Sequence, residues 1–468
     1  MKKRMTSDIE KYLINENRSI KDALMKIDAN HCGIIFSCND DGKVLGIATD
    51  GDIRRAIIKG IKPEDPIAKC VNPDFVWAQD NNSREQLIKR LDSKIKFIPI
   101  IDGCGKLTAV ISRDYLPLQE EQAIYIRSRA PVRVSFGGGG SDLTHYFSDN
   151  TGAVINAAIS IYSHGVMRVR DDCKIIISSL DLGATFTADD LDDAISQKGP
   201  FGLIQSLLHV VRPKYGFELC LHSDFPVGSG LGGSATISAA VLGCFNMLRR
   251  DQWNQHEIAE IAFQAERLHL GIAGGWQDQY AAVFGGFNFI EFHADENIVH
   301  PIRVQPDIGV ELEESLILCD TGIAHHSGNI HDNQRETMNS ESVREMVQEN
   351  VKLTYATRNH LLRGELDKFG KCLDVAWSLK RNFSNMITND HIDSIYDGAL
   401  KNGAIGGKLL GAGGGGYFLF YVPPFERRRL INYLESQNLK AQPFRFEPDG
   451  LRTWRSRAGA NQSVNGEY

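Results

Sequence analysis

The stretch Pro226-Val-Gly-Ser-Gly-Leu-Gly-Gly-Ser-Ala235 places four glycines directly before an apolar run that predicts a helix. Backbone amides in such a loop are unhindered, and the dipole of the following helix adds positive potential, so the pattern favours a phosphate-binding loop. The loop differs from the Walker A pattern because it contains no lysine. It would hold a nucleotide through backbone amides and leave Ser234 free to face a metal ion. Taken alone, the stretch fits a tight connection equally well.

Two further glycine-rich segments favour the phosphate-binding interpretation. They are Ser135-Phe-Gly-Gly-Gly-Gly-Ser-Asp142 and Lys408-Leu-Leu-Gly-Ala-Gly-Gly-Gly-Gly416. Both are flanked by apolar, strand-like residues and not by the Ser/Pro-rich composition of a flexible spacer. Three such loops in one chain therefore favour a binding site over flexible linkers.

The three segments resemble the three motifs of the GHMP kinases, the superfamily that includes galactokinase, homoserine kinase and mevalonate kinase. Ala130-Pro-Val-Arg133 with Phe136-Gly137 resembles the first motif, residues 226–235 the second, and residues 406–415 the third. The resemblance covers residues 124 to 455 and keeps the motifs in order. It implies an α+β fold of two lobes with the active site between them.

A closer resemblance links the chain to one branch of that superfamily. Gly137 to Asp142, Gly275-Trp-Gln-Asp-Gln-Tyr280 and Gly285 to Glu291 resemble the kinases that phosphorylate C1 of D-glycero-D-manno-heptose 7-phosphate. Bacterial fucokinases share the segment 275–279 and are the nearest alternative.

Composition sets the broad class of protein. The chain has 468 residues, of which 42% are hydrophobic and 24% charged, which predicts a globular protein of two to four domains. No apolar run reaches the ~20 residues that span a bilayer, and residues 1–10 lack the apolar core of a secretory signal. Nine cysteines without Cys-x-x-Cys pairs predict a reducing cytoplasm and argue against a zinc site. The net charge of −7 gives no reason to expect nucleic acid or an anionic membrane as partner.

The first 118 residues carry a weak internal repeat, in which residues 33–54 and 97–115 each pair two β-rich runs around an Asp/Gly turn. The repeat resembles a tandem pair of CBS domains of β-α-β-β-α type. That resemblance implies an adenine nucleotide (AMP, ADP or ATP) bound by Thr49 and Asp52. The second half departs from the pattern, with Ser112 and Tyr115 in place of threonine and aspartate. The alternative is a structural module without ligand, or one that pairs two copies into a homodimer.

The expected fold class is therefore α+β, a two-lobed GHMP kinase fold preceded by a tandem CBS module. The expected domains are residues 1–118 for the CBS pair, 124–310 for the ATP-binding lobe, 311–455 for the C-terminal lobe, and 456–468 for a polar tail.

Transfer of a γ-phosphoryl group to a sugar hydroxyl needs alignment, charge neutralisation and an acceptor for the hydroxyl proton. By the resemblance, Asp278 is the catalytic base and Arg133 is the basic residue that supports a developing alkoxide. The structural alternatives are a helix N-cap for Asp278 and a surface charge for Arg133.

The resemblance also assigns the ATP and Mg²⁺ contacts. Ser234 and Glu266 are the expected metal ligands, and Glu266 lies in a stretch with helical periodicity. Gly233 stands where the family often has a second serine, which leaves Ser234 as the only hydroxyl of the pair. The expected ATP-loop residues are Pro226, Gly228, Ser229, Gly230, Leu231, Gly232, Gly233, Ser234 and Ala235.

The substrate contacts follow from the first and third motifs. Asp142 is expected to accept hydrogen bonds from vicinal sugar hydroxyls. A 7-phosphate needs a cation or donor set of its own, for which Lys380 and Arg381 are candidates and Ser327 a weaker one. The expected substrate-binding residues are Gly138, Gly139, Ser141, Asp142, Gln277, Lys380, Gly413 and Gly414.

The first hypothesis is a cytoplasmic, ATP- and Mg²⁺-dependent kinase that phosphorylates O1 of D-glycero-D-manno-heptose 7-phosphate for surface polysaccharide. The second keeps the enzyme and changes the sugar to L-fucose or another hexose. The third is an inactive GHMP fold that serves as an adenylate-sensing subunit, which the presence of Asp278, Glu266 and Arg133 disfavours.

Overall fold

A computed structural model of the chain describes residues 9–113, 116, 124–323, 330, 333, 337 and 340–457. The chain divides into two compact units, Met1–Glu121 and Gln122–Tyr468. Tyr115, Ser327 and residues 458–468 of the expected polar tail lie outside the described residues. Within the described ranges, no helix combines the length and the apolar character that a membrane span requires.

The first unit begins with a three-stranded sheet in the order β1–β2–β3. Its elements are β1 (Leu13–Asn15), α1 (Ile20–Asn30), β2 (Ile34–Cys38), β3 (Val44–Thr49) and α2 (Asp50–Ile58). Strand β1 is parallel to β2, and β2 is antiparallel to β3. Both helices start with a capping box, whose N-cap residues are Ser19 and Thr49. Ile20, Ile35 and Ile53 are completely buried between the sheet and the helices.

The second half of this unit repeats part of that pattern. It contains α3 (Arg84–Arg90) followed by a hairpin of β4 (Phe97–Ile101) and β5 (Leu107–Ser112). The two hairpins meet at their turns, where the amide of Val44 donates to the carbonyl of Gly105 at 2.9 Å. The segment that would hold the closing helix of this half lies outside the described residues, apart from Leu116.

The second unit is built around an eight-stranded, mostly antiparallel sheet. Its strands are β6 (Ile124–Gly137), β7 (Gly152–Val169), β8 (Ile175–Ser179), β9 (Ala184–Ala188), β10 (Phe217–Ser223), β11 (Phe287–Phe292), β12 (Asn297–Pro301) and β17 (Arg452–Arg457). Strand β7 is the centre of the sheet, because it pairs with β6 on one edge and with β11 and then β10 on the other. Two of the three glycine-rich loops, those that follow β6 and β10, therefore leave the same sheet.

A second sheet of four strands has the order β14–β15–β13–β16 and is antiparallel throughout. Its strands are β13 (Leu316–Asp320), β14 (Gly406–Leu409), β15 (Tyr417–Tyr421) and β16 (Ala441–Gln442). The two sheets share one hydrophobic core, in which Phe136 meets Phe369 edge-on with 5.1 Å between the ring centroids.

The helices of the second unit cover these sheets. They are α4 (Thr144–Phe147), α5 (Leu191–Ser196), α6 (Gly202–Val211), α7 (Gly233–Asn246), α8 (Gln255–Phe263), α9 (Gln277–Phe284), α10 (Pro306–Ser315), α11 (Glu341–Leu362), α12 (Leu366–Lys380), α13 (Asp390–Lys401) and α14 (Arg427–Ser436). The completely buried helix α7 residues Ala239, Val241 and Leu242 belong to the same core.

The C-terminal segment differs from the expected division into lobes and tail. Strand β17 pairs antiparallel with β6, so residues after the second sheet return to the first one. Ser456 and Arg457, which were expected in the polar tail, take part in this ladder. Composition hides the strand because its side chains are mostly polar, whereas the ladder is made by backbone groups at the edge of β6.

We predict that Gly138→Ala destabilises the protein and that Gly139→Ala does not. Gly138 has φ +83°, and a Cβ added there would lie 1.9 Å from the carbonyl oxygen of Ala153, whereas Gly139 has open space around it. For Gly138→Ala we expect the free energy of unfolding, measured by urea denaturation, to fall by about 1–3 kcal/mol or more. Equal stability of the two variants would contradict this account of the loop.

Candidate active site

A cavity of about 770 Å³ in the second unit collects most of the residues that the motifs single out. Its walls come from the loop before α7, the loop after β6, the start of α9, the end of α12 and strand β14. Of the predicted site residues, the cavity is lined by Arg133, Gly139, Asp142, Gly228, Ser229, Gly230, Gly232, Gly233, Ser234, Glu266, Gln277, Asp278 and Lys380.

The loop of residues 226–235 connects β10 to α7, as the sequence predicts. Gly228, Gly230 and Gly232 have φ between +74° and +82°, a conformation that L side chains rarely adopt. A Cβ on Gly232 would lie 3.1 Å from the carboxyl group of Asp278, so the loop passes directly against that carboxylate. Three loop residues lie elsewhere. Pro226 is exposed, and Leu231 and Ala235 are buried in the core.

Arg133 and Asp278 form a two-pronged ion pair inside the cavity. The Nε of Arg133 donates to Oδ1 of Asp278 at 2.8 Å, and its Nη2 donates to Oδ2 at 2.8 Å. The third arm, Nη1, donates to the carbonyl of Gly230 at 2.8 Å. The Arg133 side chain is 4% exposed and that of Asp278 is 23% exposed. Arg133 is therefore not a surface charge, and Asp278 keeps one accessible side.

Asp142 is a second carboxylate, almost completely buried next to the first. Its oxygens accept hydrogen bonds from the amide of Gly140 at 3.0 Å and from Nε2 of Gln277 at 3.1 Å. Burial, and next the charge of Asp278, raise its pKa above the ordinary value. Two buried polar atoms of residues in the cavity wall, Oε1 of Gln277 and Oγ of Ser135, have no partner among the described residues. They offer hydrogen bonds to a polar ligand, and Ser135, the first residue of the first glycine-rich segment, was not among the predicted substrate contacts.

Ser234 and Glu266 lie in direct contact. The Ser234 hydroxyl donates to Oε1 of Glu266, whose other oxygen accepts from Nε2 of Gln279 at 2.8 Å. Glu266 is 2% exposed and lies on a π-helical turn, Gln264–His269, that continues α8. Such turns often occur at functional sites. A hydroxyl and a carboxylate side by side are hard oxygen donors and fit Mg²⁺.

Arg267 is a cavity residue that the sequence did not indicate. Its Nη1 lies 3.1 Å from Oε1 of Glu266 and donates to the carbonyl of Ile272 at 3.0 Å. Its Nη2 donates to the carbonyl of Gly275 at 3.2 Å. The guanidinium therefore holds the loop that leads into α9 and ties it to the candidate metal ligand Glu266.

Two buried lysines complete the charged wall. Lys380 donates from Nζ to the carbonyls of Leu409 at 3.1 Å and Gly411 at 2.5 Å, so it also fixes the third glycine loop. Burial, and then the charge of Arg133, lower the pKa of Lys380 from 10.5 to about 7. Lys408 is 3% exposed and lines the cavity. Its pKa is also lowered, first by burial and next by Lys380.

Five of the predicted substrate contacts lie outside the wall of the cavity. Gly413 and Gly414 do not line the cavity, because both pack against Ile387, and the amide of Gly414 donates to its carbonyl at 2.8 Å. Gly411 and Ala412 line it instead. The remaining three also lie outside the wall: Gly138 packs on Ala153, Ser141 donates to the carbonyls of Gly138 and Ala153, and Arg381 is partly exposed beside Asp393.

In the first unit, Thr49 and Asp52 bond to each other at the start of α2. The Thr49 hydroxyl donates to Oδ2 of Asp52 at 2.6 Å, and the other carboxylate oxygen accepts from Arg55 at 2.6 Å. Both residues therefore serve as a capping box of the helix.

We predict that Lys380→Met removes a pH-dependent part of the stability. With a pKa of about 7 when folded and 10.5 ordinarily, Lys380 binds fewer protons in the folded chain between these pH values. Stability of the wild type therefore rises with pH across that window, and the variant lacks this rise.

The measurement is urea unfolding at about pH 6.5 and pH 9.5, with Lys371→Met, an exposed lysine of the same helix, as control. The difference in unfolding free energy, wild type minus Lys380→Met, is expected to increase with pH. A constant difference would contradict the depressed pKa.

Comparison with known protein families confirms the resemblance. The model of the GHMP kinase N-terminal domain matches residues 202–286, and that of the C-terminal domain matches residues 358–440. The CBS domain model matches residues 5–59, the first of the two predicted halves.

Similar proteins are found among sugar kinases. D-glycero-alpha-D-manno-heptose 7-phosphate kinase of Campylobacter jejuni is 34% identical over 336 residues, covering 70% of this chain and 99% of that protein. L-fucokinase/L-fucose-1-P guanylyltransferase of Bacteroides fragilis is 27% identical over 376 residues, which is 73% of this chain but 39% of that protein.

Solved structures agree with this assignment. The crystal structure of a D-glycero-D-manno-heptose 1-phosphate kinase from Bacteroides thetaiotaomicron superimposes with a TM-score of 0.60 at 27% identity, covering 71% of this chain and all of the other. Lactococcus lactis galactokinase shares the fold, with a TM-score of 0.59 at 19% identity over 70% of this chain and 95% of that one. The chain belongs to the GHMP kinase superfamily, carries a CBS domain within its first 59 residues, and is a sugar kinase.

Proposed function

We propose that the protein transfers the γ-phosphoryl group of ATP to O1 of D-glycero-D-manno-heptose 7-phosphate. The product, the 1,7-bisphosphate, would supply nucleotide-activated heptose for surface polysaccharide. The observation that carries the proposal is the Arg133–Asp278 pair, placed directly against the glycine loop in a cavity that also holds Asp142. The choice of heptose rests on the similarity to the Campylobacter jejuni heptose 7-phosphate kinase.

In this proposal Asp278 orients the sugar hydroxyl and accepts its proton late in the transfer. The two hydrogen bonds from Arg133 fix the carboxylate plane, so the group loses little freedom when the substrate binds. The guanidinium, held beside Asp278, would stabilise the negative charge that develops on the sugar oxygen.

The nucleotide phosphates would lie along the amides of the loop that ends at Gly233, at the N-terminus of α7. Ser234 and Glu266 would hold Mg²⁺, which when bound neutralises phosphate charge. Arg267 keeps Glu266 and the loop before α9 in fixed relative positions.

The sugar would be oriented by Asp142 and by the unpaired acceptor of Gln277. Lys380 and Lys408 supply positive charge in the same wall. Because the Lys380 ammonium already donates to two carbonyls, Lys408 is the stronger candidate for the substrate's phosphate. A buried ammonium without a counter-ion is costly, and a phosphate ligand would provide one.

For the CBS domain we propose an adenine nucleotide as ligand, because Thr49 and Asp52 stand in the positions that the family uses. We place the reaction in the cytoplasm, since all nine cysteines are free thiols.

The first prediction of the proposal concerns the sugar. We measure ADP release and expect the highest kcat/KM with D-glycero-D-manno-heptose 7-phosphate. Unphosphorylated heptose and L-fucose should give much lower values, because they lack an anionic group to pair with Lys380 and Lys408 in the cavity wall. Phosphorus NMR of the product should show a new anomeric phosphate.

Equal rates on the sugars with and without a terminal phosphate would remove the heptose phosphate assignment. A preference for L-fucose would favour the fucokinase alternative. Binding of ATP without turnover on any of the three sugars would favour the sensing role.

The second prediction concerns the base. Asp278→Asn keeps a partner for Arg133 but cannot accept a proton, so kcat is expected to fall by about 10²–10⁴ while ATP binding changes little. Glu218→Gln is the matched control, because Glu218 also pairs with arginines, Arg168 and Arg170, but lies outside the cavity. A wild-type kcat in Asp278→Asn would show that the base is another group.

A further inference from the structure

Two imidazoles and a carboxylate meet on the large sheet, away from the cavity. His164 of β7 and His222 of β10 are direct partners across the antiparallel ladder, and their rings stack with 4.4 Å between centroids and 7° between planes. Asp224 follows β10, and both its oxygens lie 3.3 Å from Nε2 of His164. Leu221 and Ser223 line the cavity, so His222, which alternates with them along the strand, faces the opposite side of the sheet.

We propose that His164, His222 and Asp224 form a binding site for a divalent transition-metal ion, for which Zn²⁺ is the probe. One candidate ligand atom from each residue lies within 4.8 Å of the others. Ligands of a tetrahedral Zn²⁺ at 2.0–2.2 Å are roughly 3.4 Å apart, which the His164–Asp224 separation already matches. An imidazole nitrogen binds a metal in the plane of its ring, so closing the set requires one of the two stacked histidine rings to rotate out of the parallel arrangement.

The surroundings orient this ligand set. The amide of Tyr162 donates to Oδ2 of Asp224 at 3.0 Å, and the amide of Asp224 donates back to the carbonyl of Tyr162 at 2.9 Å. Oriented carboxylates of this kind are typical of metal sites.

The charged neighbours leave the site accessible to a cation. Arg129 of β6 lies opposite His164, but its guanidinium stacks over the Tyr162 ring at 4.6 Å and lies 3.8 Å from Glu447. Asp181 adds a further negative charge that acts on His222.

The ligand types separate this site from the catalytic one. Imidazole nitrogens suit Zn²⁺, Ni²⁺ and Cu²⁺, whereas Mg²⁺ prefers oxygen ligands such as Ser234 and Glu266. The site also touches the base of the nucleotide loop. Asp224 precedes Phe225, whose ring would lie 2.8 Å from a Cβ on Gly233, so a bound ion would fix the strand that leads into the loop.

The test is a Zn²⁺ titration of the full chain in excess Mg²⁺, by isothermal calorimetry, in a background with the exposed cysteines Cys104 and Cys173 changed to serine. We expect one equivalent to bind and to raise the Tm. His164→Asn, His222→Asn and Asp224→Asn should each weaken binding more than about tenfold, since even groups that only support a metal ligand are worth 10–100-fold. A Co²⁺ complex of the same protein should lack the thiolate charge-transfer band.

The control is a second imidazole pair, His209 and His269, whose rings are tilted by 47° with centroids 4.6 Å apart and which belongs to no such ligand group among the described residues. His209→Asn should bind Zn²⁺ like the parent protein. The proposal is overturned if the three site variants, folded as judged by circular dichroism, bind with parental affinity. It is equally overturned if no Zn²⁺ binds, or if the Co²⁺ spectrum shows thiolate ligation.

Discussion

The active-site cavity depends on one buried guanidinium. Arg133 reaches from β6 to Asp278 on α9 and to the carbonyl of Gly230 in the nucleotide loop, so its three hydrogen-bonded arms join segments up to 145 residues apart. Loss of one partner of a buried ion pair costs about 3–5 kcal/mol, because the remaining charge stays desolvated. The Asp278 carboxylate cannot shift relative to the glycine loop of residues 226–235 without breaking these hydrogen bonds.

The same pair contributes to the electrostatics of the cavity. Burial is the main cause that raises the pKa of Asp142 and lowers those of Lys380 and Lys408, and the charges of Asp278 and Arg133 act in the same directions. The charged forms of these three side chains are therefore disfavoured in the folded chain without ligand. Anionic ligands bring the missing counter-charge, which is why a cavity of this composition suits phosphates better than neutral sugars.

The sequence predicted those parts of the site that depend on local backbone constraints. Glycines before an apolar helix predict a phosphate-binding loop, and the family resemblance implies that Arg133 and Asp278 act together. It did not reveal contacts made across the fold. Arg267 looks like an ordinary helix charge until the π-helical turn directs it at the loop of Ile272. Lys380 was predicted to meet phosphate, yet its ammonium also holds two carbonyls of the third motif. His164 and Asp224, 60 residues apart, form no recognisable motif.

The pairing of β17 with β6 bears on how the chain leaves the ribosome. Arg127 and its partner Ser456 are separated by 329 residues, so one edge of β6 is synthesised long before the strand that covers it. An open strand edge invites pairing with other nascent chains. Arg127 and Arg129 place fixed positive charges on β6 before β17 is available to pair with it, and charged side chains commonly protect sheet edges. The arginines of β6 therefore also disfavour aggregation of the nascent chain.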